Sequence, residues 1–380
     1  MQRQQRKLSP IFKNLKKRFI NITQKSSNIG YNKRTYAVWG KSMLFREGEL
    51  IENKDGIIFD VKGLIHPPRK VIAFPRFIPS ITGNRKIKKI HYDKIYNLSE
   101  RFYYLKKNYT DLIVYDPVFD EILCEVPVEK IKKHYNPIIK REKLRRSKKN
   151  SELENKASDL LTILKKKAGI PWNSIGISGS IMTGLYNLQS DLDPVIYGIK
   201  NCQKAYNILE EILKNEETDL RAYDRKGLKN LYNFRKKDTQ MSFEDFIKVE
   251  SRKAFQGMFR KTEFFIRFVK NWDEIHHQYG DIKYTNCGDA KISATIIDDS
   301  EALFTPCTYK VENVLIFSGK KNVQIEEITS FRGRFCLQAK QEENIVAQGK
   351  LEKVQTKNNG TYFRLILGNK PSDYMILSKV

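Results

Sequence analysis

The chain has 380 residues, 40% hydrophobic and 11% aromatic, enough for two or three domains with cores of their own, which excludes a disordered or fibrous protein. Seventy Lys and Arg against 44 Asp and Glu leave a formal charge of +26, which opposes self-association and points to a polyanionic partner, RNA or DNA. Five cysteines without a C-x-x-C pair exclude a disulfide framework and a zinc ribbon, and no apolar run approaches the roughly 18 residues of a membrane span, so a cytoplasmic protein with no membrane partner is expected.

The first 46 residues carry twelve Lys or Arg and no acid, so 1-33 read as a basic arm. From 34 to 139 the chain reads as a β-rich domain. Its runs "TYAVWG", "GIIFDVKG", "VIAFPRF", "DLIVYD" and "EILCEVPV" are β-branched or aromatic and bounded by turn formers such as Asp55-Gly56 and Pro67-Pro68. One Lys- and Tyr-rich helix is expected within it, from about Tyr92 to Asn108. The run "KREKLRRSKK" has seven basic residues and one acid, and 140-150 reads as a linker or an exposed helix start.

From 151 to 283 helix and strand alternate. A helix with Leu153, Ala157, Leu160, Leu161 and Leu164 on one face leads to the strand "SIGIS", a helix over 179–188, the strand "DLDPVIYG" and a helix over 202–214. Another helix, over 242–258, opens at Ser242 with Asp245 three positions on and turns Phe243, Phe246, Ile247 and Phe255 inward. Arg235, Lys236, Lys237, Arg252 and Lys253 fall in this helical part and read as solvated residues within reach of a phosphate chain. From 284 to 380 strands return, including "FRGRFCLQA", with Asn359-Gly360 as a hairpin signal, which predicts a small antiparallel β-barrel or sandwich. The fold class expected is α+β and multidomain.

The chemistry concentrates in "GISGSIMTGLYNLQSDLDPVIYG". Alternation along a strand puts Asp191 and Asp193 on one face about 7 Å apart, where two like charges need a neutraliser. Mg²⁺ suits a pair of carboxylates whose remaining positions are filled by water and phosphate oxygens. Gly179 at a strand-to-helix turn allows close backbone approach, and Ser180 adds a hydroxyl, so the pair is expected to cradle phosphates. With 44 acids, an acid-x-acid triplet arises by chance about five times, so the ordered set rather than the triplet carries the signal.

That set, an apolar strand, Gly179-Ser180, an amphipathic helix, Ser190, then Asp191-x-Asp193 opening a second strand, resembles the signature of the DNA polymerase beta-like nucleotidyltransferase superfamily. The chain from about Arg34 to Tyr374 is similar to an archaeal family of predicted nucleotidyltransferases, in "DGIIFDVKGLIHPPRKVIAFPRF", "GISGSIMTGL", "SDLDPVIYG", "FTPCTY" and "FRGRF". The resemblance implies a central polymerase beta-like domain with a mixed sheet. It also implies magnesium-dependent transfer of a nucleoside monophosphate from a nucleoside triphosphate to an acceptor hydroxyl, with release of pyrophosphate. Two Mg²⁺ ions at Asp191 and Asp193, with Mn²⁺ as the substitute, and nucleotide contacts from Gly179, Ser180 and Ser190 belong to the same expectation. The basic composition favours a nucleic acid acceptor; the alternatives are a protein or small-molecule acceptor, or a nucleic-acid-binding protein with a vestigial transferase domain.

The superfamily has a third carboxylate on a later strand. Glu263 is the first candidate, Asp219 and Asp298 the others, although the position that best matches the usual acid, just before Ile266-Arg267, holds Phe265. Pro194 replaces an apolar residue able to donate to the sheet, which suggests an edge or a bulge. Arg332 and Arg334 of "FRGRF" are expected on one strand face between two phenylalanines, as a nucleic-acid-binding platform.

Overall fold

The computed structural model describes residues 44–215, 219–358 and 360–378; the basic arm, the "TYAVWG" strand and Asn359 of the expected hairpin lie outside them. The chain begins with β1 (Leu50–Asn53), β2 (Ile58–Val61), β3 (Lys70–Pro79), β4 (Arg85–Ile87), β5 (Ile90–Lys94), α1 (Leu98–Asn108), β6 (Ile113–Asp116), β7 (Glu121–Pro127) and β8 (Ile131–Tyr135). The sheet runs β4-β5-β3-β2-β1-β8, and β3 also pairs with β7, which carries β6. The first three residues of β3 pair with β7, its middle with β2 and its last three with β5, so one ten-residue strand serves three partners. Ile51, Phe59, Val61, Val71 and Ala73 are fully buried here, with Leu98, Phe102 and Leu105 of α1 in the same core. The helix expected from Tyr92 starts six residues later, because Tyr92 pairs with Pro79 in the β-ladder.

The central part holds α2 (Pro137–Arg146), α3 (Glu152–Ala168), β9 (Ile175–Ile177), α4 (Gly179–Thr183), β10 (Pro194–Tyr197) and α5 (Ile199–Lys214). It continues with β11 (Leu220–Arg221), α6 (Arg225–Arg235), α7 (Phe243–Glu250), β12 (Gln256–Phe259), β13 (Thr262–Phe265) and β14 (Arg267–Val269). The basic run forms α2 rather than a linker. Asn136 caps it, Pro137 occupies its first turn, and Arg141 is 2% exposed with its guanidinium donating to the Trp172 and Ile175 carbonyls. A capping box at Ser151 and Glu154 opens α3, and Leu160, Leu161 and Leu164 are buried as the periodicity demands.

Two three-stranded sheets, β14-β10-β9 and β11-β12-β13, meet through a parallel bridge between Leu192 and Phe264. Val195 pairs with Arg267 in the same register, so 191–197 runs beside 263–269 as one parallel ribbon with a gap at Pro194. Proline has no N–H to donate there, and the Ile266 N–H turns instead to the Phe255 carbonyl. Pro194 thus opens a central strand and not an edge one. The helix expected over 242–258 ends at Glu250, since residues from Gln256 onward pair in the sheet and Phe255 is buried in the core ahead of them.

The last part comprises β15 (Ile282–Asp298), β16 (Cys307–Ser318), β17 (Ile325–Ser330), β18 (Asn344–Thr356), β19 (Thr361–Leu367) and β20 (Tyr374–Leu377). The order β15-β16-β17-β19-β18 closes on itself through β15–β18, and β20 adds to β18, giving a five-stranded barrel. It is mixed rather than antiparallel, because β17 and β19 run parallel. Its core is continuous with that of the central sheet through residues such as Phe268, Phe304 and Phe335. "FRGRF" is not a strand: Gly333–Phe335 form a tight turn, and Gly333 lies so close to the Phe265 ring that a Cβ would be 2.8 Å from Cζ. Cys124, Cys202, Cys307 and Cys336 are buried free thiols. Among the described residues no helix is long and apolar enough to cross a membrane.

Candidate active site at the Asp191–Asp193 strand

Leu192 is fully buried, so its neighbours Asp191 and Asp193 turn the opposite way, toward one face. Behind them the Ser178 N–H donates to the Asp193 carbonyl at 2.8 Å, and this fixes the turn at Gly179 over the Asp193 side chain. Gly179 has φ +62, and a Cβ there would lie 1.8 Å from Asp193 Oδ2. A side chain and the carboxylate cannot share that space, which is why the turn carries glycine. The helix expected over 179–188 is only Gly179–Thr183. Gly184 ends it at φ +83, and the Leu185 N–H folds back to the Ser180 carbonyl, so a macrodipole contributes little.

The Ser180 hydroxyl is fully buried and has no hydrogen-bond partner among the described residues. Ser190 differs, because its hydroxyl holds the Asn187 N–H at 2.9 Å and receives Arg85 Nη1 at 3.1 Å, so it secures the turn before Asp191. The parallel register sets Glu263 opposite Asp191 and Phe265 opposite Asp193, and Leu192 exchanges hydrogen bonds with both flanks, from its N–H to the Glu263 carbonyl and from the Phe265 N–H to its own carbonyl. Asp191 and Glu263 therefore emerge on the same face. The Asp219 carboxylate is exposed and accepts from Arg260 Nε at 2.7 Å, while Asp298 accepts from the Ser300 N–H at the end of β15.

Charge in this cluster is not balanced locally. Burial, reinforced by the charge of Asp191, pushes the Asp193 carboxyl up to about 7, against the opposing pull of Lys94, Arg76 and Arg267. Glu263 stands exposed at the cleft, yet partial desolvation and the Asp191 charge raise it above the usual carboxylate range, with Arg235 opposing. The Tyr223 phenol is raised by burial and then by Glu263, which places it beside the same acids. Asp193 and Glu263 thus both hold their protons more tightly than ordinary carboxyls, the nearby cations not offsetting burial and the Asp191 charge.

The residues fit a divalent ion. Among the described residues no group of three or more His, Cys, Asp or Glu could hold a metal by itself, so an ion bound by Asp191 and Asp193 would complete its shell from water and ligand oxygens, as Mg²⁺ does.

Over 335 residues the chain is 32% identical to the uncharacterized protein MJ1086 of the archaeon Methanocaldococcus jannaschii, a match that covers 86% of this chain and 96% of that protein. The chain belongs to that protein's family. No family profile matches it, and no solved structure does.

In this family member the cations that act on the acids come from two parts of the chain, the N-terminal sheet and the central domain. Arg267 on β14 bonds Glu47 and acts on Asp193, and Arg76 and Lys94 come from the N-terminal sheet. Arg235, at the end of α6, is not the solvated residue expected but donates to Glu250 at 2.7 Å and Gln256 at 2.9 Å. Arg332 and Arg334 both reach Asp238, at 3.1 and 3.0 Å. Burial and crowding by Arg332 and Arg235 press the Arg334 guanidinium down to about 9, and burial outweighs the support of Asp238 at Arg332, where Arg76 and Arg235 also repel. Arg76 and Lys94 carried no sequence signal beyond being basic residues in a basic chain.

Proposed function

We propose that the protein is a metal-dependent nucleotidyltransferase, moving a nucleoside monophosphate from a nucleoside triphosphate to an acceptor hydroxyl with loss of pyrophosphate. The observation that carries the proposal is the juxtaposition of Asp191, Asp193 and Glu263 on one face of the parallel ribbon, against a turn that only glycine fits. Asp191 and Asp193 would hold Mg²⁺, which when bound neutralises phosphate charge and lowers the pKa of the attacking hydroxyl. The Asp193 carboxylate fills the space a Cβ at Gly179 would need, and the Ser180 hydroxyl next in the turn is buried without a hydrogen-bond partner among the described residues. The acceptor oxygen forms its bond to the α-phosphorus as the bond to the bridging oxygen of the leaving pyrophosphate breaks. Glu263, with its raised proton affinity, is the group that takes the hydroxyl proton.

The formal charge of +26 favours a polynucleotide acceptor. The barrel supports it too, since its ring of first, second, third, fifth and fourth strands has the connectivity of the five-stranded OB barrels that grip oligonucleotides. One observation favours the rival reading of a nucleic-acid-binding protein with a silent transferase domain: Phe265, not an acid, stands opposite Asp193. Incorporation of each labelled nucleotide into RNA, DNA and protein acceptors with Mg²⁺, using Asp191→Asn and Asp193→Asn as controls, decides between them. Incorporation unaffected by either variant refutes the site, and none by the parent chain on any acceptor supports the rival.

A further inference from the structure

The N-terminal sheet faces Asp193 through Lys94 and Arg76. Tyr96 follows the end of β5 and is 39% exposed, with the Arg76 guanidinium 4.9 Å and the Lys94 ammonium 4.8 Å from its ring centre. Tyr96 meets the exposed ring of Phe234 on α6 edge-on at 5.6 Å. Neither Arg76 nor Lys94 forms an ion pair among the described residues; Arg76 donates only to the Ile95 carbonyl, at 3.3 Å. Both cations act on the Asp193 carboxyl.

Beside these residues opens a pocket of about 210 Å³ lined by the amides of Asn84, Asn187 and Gln189, with the Asp93 carboxylate, Lys94 and Tyr96 also in its lining. Arg85, in the same lining, donates to the Ser190 hydroxyl, so pocket and carboxylates share the turn before Asp191. The volume is below the ~300–1,000 Å³ of pockets that enclose whole drug-sized ligands, so it suits one part of a larger molecule. Side-chain amides offer donors and acceptors together, which is what the edge of a nucleobase demands.

We propose that this groove is the nucleoside triphosphate site of the transferase, shared between the N-terminal sheet and the central domain. The base enters the amide-lined pocket against Tyr96, and the phosphates run past Lys94 and Arg76 to Asp193. Two cations that form no ion pair among the described residues and an exposed aromatic ring then each acquire a function: charge for the phosphates, and an aromatic face for the base. The proposal rests on the transferase reading and adds to it that the N-terminal sheet supplies half of the donor site.

The test is calorimetric titration of the full chain with ATP, GTP, CTP and UTP in Mg²⁺, and with the matching nucleosides. The variants are Tyr96→Ala, Tyr96→Phe and Lys94→Ala, with thermal melting to verify folding. Tyr96→Ala is expected to weaken triphosphate and nucleoside alike by about tenfold, and Tyr96→Phe to restore both. Lys94→Ala is expected to weaken the triphosphate by a similar factor of about ten and leave the nucleoside unchanged. Triphosphate binding that is intact in both alanine variants overturns the groove and leaves the transferase reading standing. Absence of any nucleotide binding by the parent chain overturns both.

Discussion

Glu250 and Asp193 are both carboxylates drawn out of water in the central domain, and their surroundings move them in opposite directions. Glu250 is bonded by Arg235 at 2.7 Å and Lys253 at 2.6 Å, and Gln256 and Gln338 complete a closed buried network. Lys253 and Arg235 hold the Glu250 carboxyl below its ordinary range although burial opposes them. Around Asp193 burial and a like charge prevail, and the carboxyl is pushed up to about 7. A network that serves the fold is closed by its own chain, whereas at Asp193 the nearby Lys94, Arg76 and Arg267 do not offset burial and the Asp191 charge.

The comparison can be broken from either side. The largest effect is expected for Asp193→Asn, which lowers nucleotide incorporation by about 10³-fold while leaving thermal stability equal or higher, because no buried charge is stranded. Glu250→Ala does the reverse: it leaves Lys253 and Arg235 without their carboxylate and costs about 3–5 kcal/mol in denaturant unfolding. A destabilisation by Asp193→Asn equal to that of Glu250→Ala would erase the distinction.

The pH dependence sharpens it. Asp193 keeps its proton in the folded chain up to about pH 7, whereas in the unfolded chain it releases it near the ordinary value of 3.8. The folded state therefore binds more protons across that window, and its stability falls as pH rises from about 4 to 7 and stays lowered above, by at most about 1.4 kcal/mol per pH unit in the window. Mg²⁺ at pH 7.5 is expected to raise the melting temperature of the parent chain and not that of Asp193→Asn. Gly179→Ala comes next: left-handed backbone costs about 1–2 kcal/mol, and the Cβ must expel the Asp193 carboxylate, so activity falls even where the fold survives, as activity and melting measured together will show. The smallest change is expected at Arg260→Ala, which breaks exposed pairs to Asp159 and Asp219 and shifts stability by less than about 1 kcal/mol.

The carboxylate pair and the glycine turn were legible because both obey local rules: alternation puts Asp191 and Asp193 on one face, and a backbone turning back on itself calls for glycine. Periodicity makes the helix after Gly179 too long because it does not register the left-handed cap that Gly184 takes. "FRGRF" read as a strand on its alternation; the approach of the Phe265 ring to Gly333 bends it into a turn. Arg141 and Arg235 looked solvated because charge is the strongest local cue. Their partners, the Trp172 carbonyl and Glu250, are brought to them by packing of separate elements.

The amino-acid order alone determined the helices and strands with a strong period, among them α3 and β9, and the pairing of two acids with a glycine turn, since each depends on neighbours within a few residues. Only the tertiary structure decided that Glu263 lies opposite Asp191, that Arg76 and Lys94 act on Asp193, and that the barrel closes with one parallel pair. Coulomb energy and desolvation depend on separation in space, and two charges far apart in the chain acquire a separation only when their sheets pack.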